Sequence, residues 1–558
     1  MNCRQFILSE NTLELIVDTN AVGEPLLEPD CIVPISEKYE IWYYDSSRVP
    51  PLSLENYTYA AIPKCYGLVD STSLEVSGIL KLQNQPTLSL TGQGVFVAVI
   101  DTGIQYMDFA FRNRDGSTRI FSIWDQTQDS AQEQGEIFYG TEYTRQQIND
   151  ALAGENPYDI VPQRDENGHG TFLASVACGS PFPENDFTGA APDSELLVVK
   201  LKPAKKSIKD FFFVPDSAVT YAESDIMAAI SYVRRIAAEQ NRPLVIYLGF
   251  GTNNGNHAGT SPLCDYLDQL ASQRHQAIVA AAGNEAANRH HFYGQSNSLL
   301  QPQNVEINLE QDGNFYVELW ALAPERYALN VQSPTGELQP RSVPVTETSQ
   351  TYSFLFEGTR LTIDYRDAGR TKRDQLIFLR FEAAKRGIWT IRVYPQSTIN
   401  GYFHMWLPMQ GMLAQNVFFL RPNPDVTITS PADALLPITA GGYNAYTNAV
   451  YLESGRGFRA DGMVKPDFLA PAVEVQGKDL RGNYTMQTGT SVAAAITAGA
   501  CAQVLQWAVT DGNAIGINSV DIQNFLIRGA TRSREQEYPS VDRGYGNLNV
   551  YSAFELLR

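Results

Sequence analysis

The sequence of 558 residues is poor in cysteine and has no excess of positive charge. The net charge of −20 disfavours nucleic acid and anionic membranes as partners, because both reward lysine and arginine. No stretch of 18 apolar residues is found, so no membrane span is expected. The six cysteines form no C-x-x-C pair, which argues against metal ligation and a dense disulfide framework. These cysteines are Cys3, Cys31, Cys65, Cys178, Cys264 and Cys501.

The N-terminal stretch "MNCRQFILSENTLELIVD" has no basic start followed by a long apolar run. It is therefore not expected to act as a secretory signal, and we expect synthesis in a reducing, cytosol-like space. Cys178 and Cys501 lie among small residues in helical contexts, which predicts buried thiols. Hydrophobic residues make up 43% and charged residues 19%, as in soluble globular proteins.

The chain is long enough for two or three domains, and its patterning changes along its length. Residues 1–66 contain strand-like stretches such as "YEIWYYD" and predict a small α+β unit. Residues 67–295 and 429–558 alternate between buried strands and helices. Residues 296–428 are short alternating strands bounded by Gly, Pro and Asn, which predict an inserted all-β sandwich of the jelly-roll kind.

The α/β segments predict a doubly wound parallel sheet. "GVFVAVID" and "AIVAAAG" are apolar throughout, as expected of strands buried on both faces. Amphipathic helices such as "DIMAAISYVRRIAAEQ" separate them. Strands that alternate with helices indicate right-handed βαβ crossovers.

The stretch "TMQTGTSVAAAITAGACAQVLQWA" places Ser491 at the start of a helix so rich in Ala and Gly that it has almost no bulk. A serine in this position is by itself most often an N-cap. Three other stretches point instead to chemistry: Asp101 ends the buried strand of "VAVIDTGI", His169 lies between glycines in "NGHGTF", and Asn284 follows "AAAG". Catalytic groups in open α/β sheets gather at the carboxyl ends of strands.

The three motifs "AVIDTGI", "NGHGTFLAS" and "GTSVAAAITAG", in this order, resemble the subtilisin-like serine proteases. The resemblance implies Ser491 as nucleophile, His169 as general base and acid, and Asp101 as the group that orients the imidazole. Asn284 and the backbone N–H of Ser491 would stabilise the oxyanion.

The resemblance also assigns the stretch "YLGFGTN" to the substrate-pairing strand, with Gly249, Phe250 and Gly251 binding substrate. Gly249 falls where a serine is common, which changes the pocket below the strand. Ala495 replaces the usual proline of the serine helix. The long gap between Asn284 and Ser491 accommodates the all-β insert.

This organisation is similar to the clostridial germination-specific Csp proteases. The similarity implies that residues 1–66 are a prodomain acting as chaperone and inhibitor, with a junction near "AIPKCYGLVDSTS" and its end in the active-site groove. It further implies limited proteolysis of a cortex-hydrolase precursor, and deposition in the spore, in the cortex or coat region. An intact set of Asp101, His169 and Ser491 favours an active enzyme.

Several polar features have simpler interpretations. "RHHF", which contains His290 and His291, is predicted to lie at the surface, because adjacent side chains point different ways. Asp225 is predicted to be a solvated or capping charge. No cofactor is predicted. Calcium is the alternative near the acidic stretches "RDENGHG" and "ENDF", but neither has the spacing of a calcium loop.

Three functions compete at this point: an active endoprotease, a pseudoprotease-like germinant sensor that keeps its prodomain, and an esterase of another α/β fold. A broken triad would favour the sensor, and none is seen. An esterase needs G-x-S-x-G, whereas the sequence at the serine is G-T-S-V-A.

Overall fold

The structure is a computed structural model of the chain, which divides into two compact units, Met1–Leu68 and Val69–Arg558. It describes residues 12–18, 27–34, 39–50, 72–128, 137, 139–182, 187–204, 206–296, 302–342, 345, 348–368, 373–397 and 399–557.

The first unit contains a three-stranded antiparallel sheet in the order β1-β3-β2. Its strands are β1 (Thr12–Asp18), β2 (Cys31–Pro34) and β3 (Tyr39–Asp45). Leu13, Leu15 and Val17 are buried, as the period-two pattern of β1 requires. Cys31 is disulfide-bonded. Most of the predicted prodomain junction, residues 61–71, lies outside the described residues.

The second unit contains an eight-stranded sheet in the order β21-β20-β9-β8-β4-β7-β5-β6. Its strands are β4 (Phe96–Asp101), β5 (Ile120–Asp125), β6 (Thr141–Thr144), β7 (Glu195–Lys200), β8 (Leu244–Leu248), β9 (Gln276–Ala281), β20 (Ile438–Tyr443) and β21 (Phe468–Pro471). Neighbouring strands run parallel except at the edge, where β6 pairs antiparallel with β5.

The described helices of this unit lie between those strands or flank them. They are α1 (Thr72–Val76), α2 (Ile79–Gln83), α3 (Arg145–Ala153), α4 (His169–Cys178), α5 (Lys206–Phe211), α6 (Glu223–Glu239), α7 (Pro262–Ala271), α8 (Thr490–Leu505), α9 (Ser519–Gly529) and α10 (Val550–Glu555). A short hairpin, β22 (Val475–Lys478) and β23 (Tyr484–Gln487), precedes α8.

The sheet is buried on both faces, as the apolar strands predicted. Along β4, Val97 and Val99 pack into the core that contains α4 and α8. The alternate residues Phe96, Ala98 and Ile100 pack into a second core with α6 and α7. The predicted α/β fold is therefore confirmed, with one antiparallel edge strand that the sequence did not indicate.

The chain between β9 and β20 forms two antiparallel sheets, in the orders β10-β18-β12-β16-β15-β14 and β13-β17-β11-β19. Apolar side chains from both sheets share one core, which includes Leu319, Leu329 and Ile391. The strands are β10 (His291–Gln295), β11 (Gln303–Leu309), β12 (Gly313–Ala321), β13 (Arg326–Gln332), β14 (Thr348–Ser353), β15 (Arg360–Ala368), β16 (Asp374–Ala384), β17 (Gly387–Ser397), β18 (Tyr402–Trp406) and β19 (Val417–Phe419).

Helix α8 continues through a π-helical turn, Gln506–Thr510. Within the described residues, Thr490–Thr510 is one helix whose length and mean hydropathy of 1.5 would suffice for a membrane span, yet 89% of the apolar stretch is buried inside the protein. This is the behaviour of a core helix. Cys178 and Cys501 are buried free thiols, as predicted.

Candidate active site

Asp101 and His169 are brought together from the end of a strand and the start of a helix. Asp101 is the last residue of β4, and its side chain is almost fully buried. Both of its carboxylate oxygens lie 2.9 Å from Nδ1 of His169, the first residue of α4. The backbone N–H of Thr102 donates to the same carboxylate at 2.7 Å. A buried carboxylate with these partners fixes the ring and leaves Nε2 for other chemistry.

The glycines beside His169 are required by the backbone. Gly168 has φ of 93°, in the left-handed region that side chains rarely adopt. A Cβ added at Gly170 would lie 3.1 Å from the Cβ of Asp101 and would collide with the carbonyl oxygen of Gly103. The two glycines therefore allow α4 to begin against the end of β4, which gives His169 its short distance to Asp101.

A second buried carboxylate, Asp165, holds this turn and was not singled out in the sequence. Its Oδ1 accepts from the hydroxyl of Thr102 at 2.8 Å and from the N–H of Gly168 at 2.8 Å. Its Oδ2 accepts from the N–H and hydroxyl of Thr171 at 2.9 and 2.6 Å. The signal available in the sequence was its place shortly before a helix start, where Asp commonly caps.

The pKa of His169 is set by opposing influences. Burial disfavours the imidazolium and lowers the pKa, but the adjacent charge of Asp101, its hydrogen bond and the charge of Asp165 raise it above the ordinary value of 6.5. The ring is about one-third exposed. His169 can therefore accept a proton from a group at the surface and hold it beside Asp101.

The side chains of Ser491 and Asn284 both lie close to Gly489. A Cβ at Gly489 would lie 3.3 Å from Ser491 Oγ and 3.6 Å from Asn284 Nδ2, so both atoms border one small space. The Oδ1 atom of Asn284 accepts from the N–H and the hydroxyl of Thr490, each at 3.0 Å. These two bonds fix the orientation of the amide and turn its NH₂ group toward the space beside Ser491.

Two donors at this space have no acceptor among the described residues: the NH₂ group of Asn284 and the backbone N–H of Ser491. Ser491 lies in the first turn of α8, where backbone N–H groups have no intrahelical partner and the helix dipole favours negative charge. Such an arrangement can stabilise an oxygen that gains charge when a nearby carbonyl is attacked.

The structure does not join His169 to Ser491 by a hydrogen bond within its described part. Their helices, α4 and α8, pack against each other, and both residues lie at the N-terminal ends of those helices. Catalytic hydrogen bonds are often long in structures without substrate, so the separation does not remove either residue from the candidate site.

The predicted substrate strand follows β8 and is half-buried over Gly249, Phe250 and Gly251. Beyond it, the N–H of Thr252 donates to the carbonyl of Ser430 at 2.8 Å, and the N–H of Ser430 donates back at 3.0 Å. The N–H of Thr429 donates to the carbonyl of Ala282 on the opposite side, at 3.0 Å. Residues 429–430 thus lie between the segments that follow β8 and β9 and bond to both.

The side chain of Thr429 fills the slot between Gly251 and Gly283. This residue was not singled out in the sequence. It is fully buried. A Cβ built at Gly283 would lie 2.5 Å from Thr429 Oγ1 and Cγ2, and one built at Gly251 would lie 2.9 Å from Thr429 Cβ. Nothing in the local sequence of Thr429 indicates this contact, because its neighbours are far away along the chain.

The predicted surface position of two histidines was wrong, and so was the predicted solvation of one aspartate. His290 and His291 are buried, not at the surface. His290 Nδ1 lies 2.7 Å from the carboxylate of Glu285. Backbone N–H groups of the β insert donate to both residues, from Leu407 to the His290 carbonyl and from Gln410 to Glu285, each at 2.9 Å, which a local pattern could not reveal.

Asp225 lies in the first turn of α6, as a capping charge would, but it is buried and not solvated. It accepts from the hydroxyl of Tyr139 at 2.8 Å and from Nζ of Lys202 at 2.5 Å.

No group of three or more potential metal ligands occurs among the described residues. The carboxylate of Asp165, in the predicted "RDENGHG" region, is occupied by protein donors. Most of "ENDF" (184–187) lies outside the described residues.

Comparison with known proteins places this site in a wider context. The sequence model described as the subtilase family matches residues 92–314 and 416–547. A solved structure described as the Clostridium perfringens CspB protease is similar over 87% of this chain and 97% of its own, with a TM-score of 0.77 and 27% identity.

Curated relatives are more distant in sequence. The C5a peptidase of Streptococcus pyogenes serotype M1 is 22% identical over 434 residues, which is 73% of this chain and 34% of the relative. The chain thus spans about a third of the length of that protein. Subtilisin of Bacillus sp. strain TA39 is 26% identical over 209 residues, 37% of this chain and 38% of the relative.

Proposed function

Because the chain belongs to the subtilase family of serine proteases, we propose that it is an endopeptidase that uses Ser491, His169 and Asp101 as its catalytic triad. The observation that carries this proposal is the space beside Gly489 that both Ser491 Oγ and Asn284 Nδ2 border, in a unit where the Asp101 carboxylate lies 2.9 Å from His169 Nδ1. An esterase of another α/β fold is not compatible with the family.

In the proposed reaction, Ser491 Oγ attacks the carbonyl carbon of the scissile peptide while His169 Nε2 takes its proton. Asp101 holds the ring in the tautomer with hydrogen on Nδ1 and stabilises the imidazolium. The carbonyl oxygen gains negative charge and accepts from Asn284 Nδ2 and the Ser491 N–H. His169 then gives the proton to the leaving amine, and water releases the acyl group by the same steps in reverse order.

The substrate backbone would pair with the edge formed by Gly249, Phe250 and Gly251. Support for this comes from the partial exposure of these residues and from Gly251, which borders the same Thr429 side chain as Gly283, the residue before Asn284. An extended peptide on this edge would bring one carbonyl to Ser491, while its neighbouring side chain would face the slot that Thr429 occupies.

We further propose that residues 1–66 are a prodomain removed by self-cleavage, that the β insert has a jelly-roll arrangement, and that the physiological substrate is a cortex-hydrolase precursor cleaved during germination in the spore. The likeness to the CspB protease supports this assignment. The specific substrate, the site of action and the processing event rest on that likeness.

The alternative is a non-catalytic germinant sensor with a retained prodomain. The observation in its favour is that no hydrogen bond joins His169 to Ser491 in the part of the chain described above. The two functions differ in whether Ser491 is chemically competent.

The deciding experiment compares purified wild type with Ser491→Ala and, as a matched control, Ser533→Ala at an exposed site. Gel analysis with intact-mass measurement is expected to show wild type and Ser533→Ala cut near the end of the Met1–Leu68 unit, and Ser491→Ala whole. All three proteins are then assayed with casein. Intact, inactive wild type would overturn the protease proposal in favour of the sensor.

A further inference from the structure

Tyr247 contacts the backbone of the candidate nucleophile. It lies in β8 and is only 1% exposed. Its phenol hydroxyl donates to the carbonyl oxygen of Ser491 at 3.0 Å. A buried tyrosine needs a partner for its hydroxyl, and this one finds it at the first turn of α8.

Gly249 makes room for this contact. Residues two apart in an extended chain point to the same side, so Gly249 faces the same space as the Tyr247 ring. A Cβ at Gly249 would collide with the phenol oxygen and would lie 2.9 Å from the ring carbon Cζ. The lack of a side chain at Gly249 and the phenol of Tyr247 are thus two parts of one arrangement.

The same phenol lies among the elements that carry the site. The Cβ position of Gly249 is 3.3 Å from Leu173 Cδ1, on the helix that begins with His169. Burial and the nearby charge of Asp101 raise the pKa of Tyr247 well above its ordinary value. The hydroxyl therefore keeps its proton and remains a donor at every working pH.

We propose that Tyr247 is a positioning residue that holds the first turn of α8, and with it Ser491 Oγ, in the orientation needed for attack. This inference rests on the proposed function. A hydrogen bond to the Ser491 carbonyl restrains the backbone from which the nucleophile projects. Small displacements of a reacting atom are costly to rate, even when substrate binding is unchanged.

The test uses the full chain with Tyr247→Phe, which removes one hydroxyl and keeps the ring. We expect kcat on a peptide substrate to fall about tenfold while KM stays within about twofold, because the interaction acts on the nucleophile and not on substrate binding. The rate of Ser491 sulfonylation by phenylmethylsulfonyl fluoride should fall in parallel. The matched control is Tyr232→Phe, whose buried hydroxyl bonds to Ser122 at 2.9 Å and Glu142 at 2.8 Å, away from Ser491.

A second variant, Gly249→Ala, should displace the phenol and reproduce the loss. In the double variant with Tyr247→Phe, the loss of kcat, expressed as activation free energy, should be smaller than the sum of the two single losses, because both substitutions act on one contact. If wild type cleaves peptide but Tyr247→Phe has the same kcat and sulfonylation rate, the inference is wrong and the protease proposal stands. If wild type neither cleaves peptide nor reacts at Ser491, both the inference about Tyr247 and the protease proposal are wrong. Melting temperatures of all variants show whether a loss reflects unfolding.

Discussion

At the scale of single residues, His169 shows how neighbours set a proton affinity. Asp101 and Asp165 outweigh burial and raise the pKa of the ring. A general base must be neutral to act, so the proposed activity should increase as pH rises through this raised pKa. The midpoint of the acid limb of kcat/KM is therefore expected above the ordinary value of 6.5.

Replacing Asp101 by Asn gives the matching prediction. Without the carboxylate, burial dominates, so the pKa of His169 and the acid limb should move to lower pH. The rate should also drop about 10⁴-fold, because the amide favours the wrong tautomer. The measurement is the pH dependence of kcat/KM for wild type and Asp101→Asn. If the acid limb stays at the same pH in Asp101→Asn, the charge of Asp101 does not set the pKa of the group that titrates.

Thr429 leads to a prediction about specificity, under the proposed function. Its side chain fills the slot between Gly251 and Gly283, so the residue before the cut should be small. Wild type should prefer Ala to Leu there by about 100-fold in kcat/KM, and Thr429→Gly should reduce this preference below about tenfold. Thr429→Val, of similar size, is the control. The measurement uses peptides that differ at this one residue; equal profiles for all three enzymes would contradict the prediction.

At the scale of elements, the close packing of helix α8 accounts for its many small residues. It is buried along almost its whole length, and it packs on both the sheet and α4. A Cβ at Gly499 would collide with the Cβ of Ala190 and lie 3.1 Å from the carbonyl oxygen of Ala177. Only a helix of small residues can pass so close to its neighbours, which is why the chain accepts the weak helix propensity of glycine.

Gly499→Ala should therefore lower the free energy of unfolding by about 1–3 kcal/mol, although alanine is the better helix former. Urea unfolding of the purified protein measures this change. Gly516→Ala is the matched control, because a Cβ at Gly516 meets no neighbour within 4 Å. A Gly499→Ala protein as stable as the control would show that α8 can move aside without cost.

At the scale of the whole second unit, buried histidines join the catalytic body to the β insert. The indole of Trp406 stacks with His257 from the body at 4.1 Å, and with His291 and His404 from the insert at 5.0 and 5.1 Å. His291 Nε2 lies 2.9 Å from His404 Nδ1. Glu285, next to Asn284, also accepts from Asn253 and from the backbone N–H of Gln410.

Burial lowers the pKa of His404 to about 3, and burial with the neighbouring histidines lowers the pKa of His291 well below 6.5. Burial also lowers the pKa of His257, against the opposing charges of Asp433 and Glu285. The unfolded chain takes up protons below pH 6.5, where these folded rings bind protons less readily. Stability is therefore present above pH 6.5 and decreases as pH falls, and His404 alone contributes a loss of about 2 kcal/mol at pH 5.

Urea unfolding at pH 7 and pH 5 tests this. The loss of stability between the two should be about 2 kcal/mol smaller in His404→Gln than in wild type, because one neutral ring is gone. Ser533→Ala, which changes an exposed residue without a titratable side chain, should leave the difference unchanged. Equal losses in all three proteins would mean that the buried rings become protonated without unfolding.

Much of this unit could be predicted because its signals are local. Apolar strands indicated a sheet buried on both faces. In the structure, Val97 and Val99 pack into the core on one face and Ala98 packs into the core on the other. The three motifs singled out the site residues because turn glycines and strand ends restrict which side chains can occupy them. The antiparallel edge strand β6 was not predicted, because the residue pattern of a strand does not specify which strand it pairs with.

The sequence by itself determined the α/β alternation, the family, and the residues from which the candidate site is built, because periodicity and turn chemistry act over a few neighbouring residues. Only the tertiary structure decided that Thr429 closes the slot beside Gly283, that Tyr247 reaches the Ser491 carbonyl, and that His291 is buried. These contacts join residues distant in the chain. They arise from how whole elements pack, and packing depends on shapes that no local pattern records.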